Sequence, residues 1–168
     1  MKAEHTRRAL LVAAASGSLL AGCKGIAALG PVPPPGPDVI TLEHAIASEE
    51  LMIARYRAAL TALVRQGRHP DLVAGLLTEH SRHLAALRSR LVLPPRLATE
   101  RPRPSPTPPP VPAGHAQVLD YLAAAERAAA ARLLGQLQHV PAPLAQLMAS
   151  IGACEAAHAA LLGGTRPA

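Results

Sequence analysis

Met148-Ala-Ser-Ile151-Gly-Ala-Cys154-Glu155-Ala-Ala-His158-Ala-Ala-Leu-Leu162 is the stretch on which the reading of this 168-residue chain turns. With Leu144 before it, its larger apolar residues recur at helical steps, and Glu155 and His158 fall inside the same stripe. A spacing of three residues sets the carboxylate and the imidazole on one helix face. A carboxylate buried among hydrocarbon is costly unless it is paired, hydrogen-bonded or bound to a metal.

The same pattern recurs upstream. Residues 38–66 read as a helix whose stripe is Leu42, Ile46, Glu49, Ile53, Tyr56, Leu60 and Leu63, with Asp38 as N-cap and Gly67 as the stop. Residues 70–92 form a second helix, with Pro70 at its first position and Glu79, His80 and His83 on or near its inner side. Residues 115–139 form a third helix, whose stripe of Val118, Leu122, Leu133 and Leu137 includes Glu126. After a break at Val140-Pro141-Ala142-Pro143 the fourth helix covers 142–163 and ends at Gly163-Gly164, leaving 164–168 as a tail. Phe and Trp are absent, so the core must be built from Leu, Ala, Val, Ile and Met, which favours helices over a sheet.

Residues 94–114 hold nine prolines and cannot form a regular element. Fully extended, such a stretch reaches ~65 Å at ~3.1 Å per residue, enough to cross the length of a bundle. The layout over 38–163 is therefore all-α: two helical hairpins joined by a long Pro-rich crossover. Ala45-x-x-x-Glu49-x-x-x-x-Ala54-Arg55 is echoed by Leu122-x-x-x-Glu126-x-x-x-x-Ala131-Arg132, a weak internal repeat of the hairpins.

The first 22 residues read as an export signal. Arg7 and Arg8 form a twin-arginine pair ahead of an apolar run too short to span a bilayer. The run ends in Leu20-Ala21-Gly22-Cys23, which looks like a bacterial lipobox with Cys23 as the acylated residue. Residues 23–37 then form the lipidated Cys and a Gly/Pro tether. The expected location is the outer face of the bacterial cell membrane, with the membrane as the partner through the anchor. The formal charge is +6, and loss of the signal leaves +4, since Lys2, Arg7 and Arg8 outweigh Glu4. The remaining arginines are scattered without interleaved aromatics, which argues against nucleic acid. With Cys154 left alone, no intrachain disulfide is expected.

One Glu from each of two helices plus a Glu-x-x-His from each of the other two is the ligand pattern of a di-metal bundle. Glu155-Ala-Ala-His158 matches it, and Glu49 and Glu126 take the single-Glu places. On these residues, with Ala47-Ser48-Glu49, Glu79-His80, Ala125-Glu126-Arg127 and Ser150 to His158, the chain resembles the ferritin-like superfamily. It is most similar to exported bacterial ferritin-like proteins of the DUF4439 type. In metal-binding members the resemblance implies oxygen or peroxide chemistry at a non-haem di-iron centre. The expected ligands are Glu49, Glu79, His83, Glu126, Glu155 and His158, and the donor set suits iron or manganese.

The second helix departs from the pattern, since Arg82 stands where a Glu79-x-x-His motif needs its histidine. Glu79 also lies roughly 12 Å out of level with Glu49 in an antiparallel hairpin, at 1.5 Å per residue. His83 fits the common level better, and Glu79 has pairing with Arg82 as its alternative; Glu50 competes with Glu49 as the inward residue. The competing reading for the whole cluster is a carboxylate–histidine–arginine network without metal or catalysis, in a structural or interaction bundle. Tyr56 reads as core packing, Cys154 as a small buried thiol, and His44, His69, His115 and His139 as solvated. No phosphate loop or nucleophile motif is present. A homodimer is compatible with the pattern, whereas a closed storage shell is awkward for a tethered domain.

Overall fold

A computed structural model describes residues 36–67, 70–91 and 105–164. Arg7, Arg8, Cys23 and most of the proposed tether lie outside the described residues. Within them the protein consists of four α-helices and one 3-10 turn, with no strand: α1 (Pro37–Arg65), α2 (Asp71–Arg88), α3 (His115–Gly135), the turn Leu137–His139, and α4 (Ala142–Gly164).

The helix ends follow local chemistry. Gly36 is extended and Pro37 opens α1, so Asp38 lies in the first turn rather than at the N-cap expected of it. Its charge there still faces the positive end of the helix dipole. At the other end the N–H groups of Gln66 and Gly67 donate to Leu63 and Val64, and Gly67 takes φ 66°, a left-handed conformation that suits glycine. Pro70 stands just before α2 rather than inside it. α2 stops at Arg88, short of the expected 92, where the N–H groups of Arg90 and Leu91 turn back to Leu87 and Arg88. The last part of the expected third helix tightens into the 3-10 turn.

α1 packs on α2 and α3 packs on α4, while α1 also meets α3 and α2 meets α4. Arg88 of α2 reaches Glu50 of α1, and Leu134 of α3 lies against Gly152 of α4. The described part of the Pro-rich segment, 105–113, has no regular structure and lies along α1. Ser105 and Pro106 sit beside Glu50 to Arg57, and Thr107 to Ala113 sit beside Ala58 to Gln66. Gln66 Nε2 donates to the Ala113 carbonyl at 2.7 Å, Tyr121 donates to the Pro109 carbonyl at 3.2 Å, and Val111 packs on the core.

That core divides into two apolar clusters. One joins Met52, Tyr56 and Leu63 of α1 to Val73, Leu76, Val118, Leu122 and Leu162. The other joins Leu42, Ile46 and Ile53 to Leu84, Leu87, Leu133, Met148 and Ile151. Every helix also carries buried polar residues in its middle part: Glu49, His80 with His83, Glu126, and Glu155 with His158. A polar layer therefore lies across the middle of an apolar bundle.

Candidate metal centre

Helical periodicity brings the layer together. Glu49 and Glu126 sit within the stripes of α1 and α3, while two i, i+3 pairs, His80/His83 and Glu155/His158, enter from α2 and α4. His80 is at the centre, completely buried. Its Nδ1 lies 2.8 Å from Glu49 Oε2 and its Nε2 lies 2.8 Å from Glu126 Oε1. His83 Nδ1 approaches Glu49 Oε1 at 3.3 Å, and His158 Nδ1 approaches Glu126 Oε1 at 3.4 Å. The His83 and His158 rings lie nearly parallel, 6.2 Å apart. Tyr56 donates its hydroxyl proton to Glu126 Oε1.

The electrostatics follow from this arrangement. Burial pushes His80 toward the neutral form, but hydrogen bonds to Glu126 and Glu49 and their charges outweigh it and raise its pKa to about 9. With both ring nitrogens on carboxylate oxygens, a protonated His80 donates twice. Burial likewise opposes ionisation of Glu126, yet the His158, His80 and Tyr56 groups around it lower its pKa to about 2. Glu49 is also held below the usual carboxylate range, burial being outweighed by His80 and His83. Glu155 goes the other way. Burial and the negative charges of Glu49 and Glu126 raise its pKa to about 8, so at neutral pH it is largely protonated. Burial and Glu126 raise the Tyr56 pKa as well, keeping the phenol neutral.

Five of the six expected ligands share this layer: Glu49, His83, Glu126, Glu155 and His158. The sixth, Glu79, does not. Its side chain is 43% exposed and pairs with Arg82 one turn on, because the α2 face that points inward is the one carrying His80 and His83. Glu50 is turned outward to Arg88, which leaves Glu49 as the inward residue of that pair. Cys154 is exposed, against the expectation of a buried thiol, since it lies about 100° around α4 from Glu155. His44 and His139 are exposed as expected, and His69 lies outside the described residues.

None of the three nearby arginines fills the layer. Arg55 lies over the Tyr121 ring at 5.7 Å, Arg82 holds Glu79, and Arg132 donates to Ser48 Oγ at 3.3 Å. The layer instead keeps unused donor and acceptor capacity. Among the described residues, six buried side-chain polar atoms lack a hydrogen-bond partner. Five of these are Glu49 Oε1, His83 Nδ1, Glu126 Oε2, Glu155 Oε2 and His158 Nδ1. Buried polar atoms of native proteins are rarely left unpaired, so convergent orphans fit a metal ion. Two triads bring their ligand atoms within 4.8 Å of one another: Glu49, His80 and His83, and Glu126, His80 and His158.

His80 is the residue that sequence reasoning undervalued. The signal was present as His80-Ser-Arg-His83, an i, i+3 pair at the level of Glu155-Ala-Ala-His158. Tyr56 was expected to be core, and it is, but its bond to Glu126 could not be read from its own helix. The chain matches no protein-family model, no curated protein and no solved structure.

Proposed function

We propose that this is a ferritin-like four-helix bundle, two helical hairpins joined by the Pro-rich crossover, which binds a metal ion in its polar layer. The observation that carries the reading is the pair of buried triads that share His80, Glu49/His80/His83 and Glu126/His80/His158, each with its ligand atoms within 4.8 Å of one another. Glu49, Glu126, Glu155, His80, His83 and His158 surround the site. Oxygen and imidazole donors suit iron or manganese. Such an ion supplies redox or Lewis-acid chemistry toward oxygen or peroxide. Tyr56 fixes the Glu126 carboxylate, and the apolar clusters on both sides exclude water from the layer. The lipobox-like Leu20-Ala21-Gly22-Cys23 places the domain, on this proposal, at the outer face of a bacterial membrane, exported behind Arg7-Arg8.

A second reading rests on a different observation. A protonated His80 bonded to both Glu49 and Glu126 is a charge-balanced chain that needs no metal. In that reading the protein is a non-catalytic structural or interaction bundle. Elemental analysis separates the two. The full chain, produced with iron and manganese supplied, is expected to carry at least about one equivalent of metal, and a Glu49→Ala/Glu126→Ala variant to lose it. Equal, substoichiometric metal in both proteins sinks the metal reading and leaves the second.

A further inference from the structure

We infer that the layer seats one ion rather than two, on Glu49, His80 and His83, because His80 occupies the place of a metal-bridging carboxylate. This inference rests on the metal reading above. α2 and α4 each present an i, i+3 pair to the layer, His80/His83 and Glu155/His158, and the second members stack as parallel rings. The first member of the α4 pair is a carboxylate with two oxygens, whereas the first member of the α2 pair is an imidazole.

The difference decides stoichiometry. Both candidate triads draw on His80, one through Nδ1 and the other through Nε2. A neutral imidazole has a lone pair on one nitrogen and a proton on the other. When one nitrogen coordinates, the other must donate its N–H, and each faces a carboxylate placed to accept it. The two triads therefore compete for one side chain.

Tyr56 breaks the tie. Its hydroxyl already donates to Glu126 Oε1, the oxygen that also faces His80 Nε2. The residue seven positions after Glu126, corresponding to Tyr56 seven after Glu49, is Leu133, which has nothing to donate to Glu49. Glu126 Oε1 is thus committed as an acceptor from Tyr56 and from His80 Nε2–H. That is the carboxylate–histidine–metal relay which orients a ligating ring. Glu49 Oε1 and His83 Nδ1, 3.3 Å apart, make no hydrogen bond beside His80 Nδ1, and neither do Glu126 Oε2 and His158 Nδ1 on the other side. It is therefore the Tyr56 hydroxyl on Glu126 that favours the Glu49 seat. Two histidines and one carboxylate form a donor set that suits ferrous iron.

The test is anaerobic titration of the metal-depleted full chain with Fe(II), read as bound iron per chain and as the electron paramagnetic resonance of the nitric oxide adduct. About one iron is expected in the wild type, with the half-integer-spin signal of an isolated ferrous nitrosyl. His83→Gln should weaken binding at least about tenfold, and His158→Gln no more than about threefold. His80→Glu restores a two-oxygen carboxylate and should raise the content to about two irons per chain. Two irons in the wild type, or a larger loss in His158→Gln than in His83→Gln, overturns the single seat while leaving the metal reading intact. No iron in any form overturns both. If His80→Glu loses helical circular dichroism, wild-type stoichiometry and the order of the two glutamine variants still decide.

Discussion

Leu122 and Glu126 stand one turn apart on α3, and both are completely buried. Leu122 belongs to an apolar layer in which every contact is interchangeable with hydrocarbon, so its loss is felt as a void. Glu126 belongs to a layer in which each charge is tolerable only because a specific partner faces it. The first kind of layer stabilises the metal-free fold. The second spends part of that stability on keeping charges out of water, as buried ionic networks commonly do.

Mutation and pH break this contrast in graded ways. Leu122→Ala should give the largest effect, a loss of about 3 kcal/mol in urea denaturation, through lost burial and an unfilled cavity. The pH dependence of the metal-free protein should come next. Glu49 and Glu126 have lowered pKa values, so their contribution grows as pH rises from about 2 to the ordinary carboxylate value. Glu155 and His80 have raised values, so the native state holds extra protons, and stability falls as pH rises toward 8 and 9. Thermal denaturation should therefore show a maximum near pH 5 and a decline on the order of 2 kcal/mol by pH 8.

Smaller effects sharpen the same line. Glu155→Gln removes a group that resists ionisation, and should stabilise the metal-free protein by about 1 to 2 kcal/mol at pH 8 but not at pH 4. A flat or opposite pH difference would show that Glu155 is paired rather than strained. Tyr56→Phe keeps the packing but takes a donor from Glu126, at a cost of about 1 kcal/mol in the same assay. Glu79→Ala, outside the layer, should change stability by less than about 0.5 kcal/mol and leave metal content untouched.

What could be read from the chain divides along the same boundary. The apolar layers were legible because Leu42, Ile46, Leu122 and Leu133 repeat at helical spacing. Glu49, Glu126, Glu155 and His158 were legible because they interrupt those stripes. α2 was harder, since Glu79, His80 and His83 all lie near its inner side and the Glu-x-x-His template drew attention to Glu79. Level along the helix favoured His83, but only the rotation of α2 in the bundle puts His80 at the centre. α4 is apolar on nearly every face, so its periodicity could not show that Cys154 points outward. Partners supplied by another helix, such as Tyr56 for Glu126, leave no trace in local spacing.

The Pro-rich segment has a consequence in chain entropy. Between Ser105 and Ala113, five residues are proline. Each has its φ fixed before folding begins, so laying this strap along α1 orders fewer free dihedrals than a proline-free sequence of equal length would require. Gln66 and Tyr121 then need only short hydrogen bonds to hold it. A Gly/Ser replacement of the same length would keep the helices connected, yet the unfolded chain would gain freedom that the folded one must surrender. The strap is thus a stabilising element whose main effect is exerted on the unfolded state.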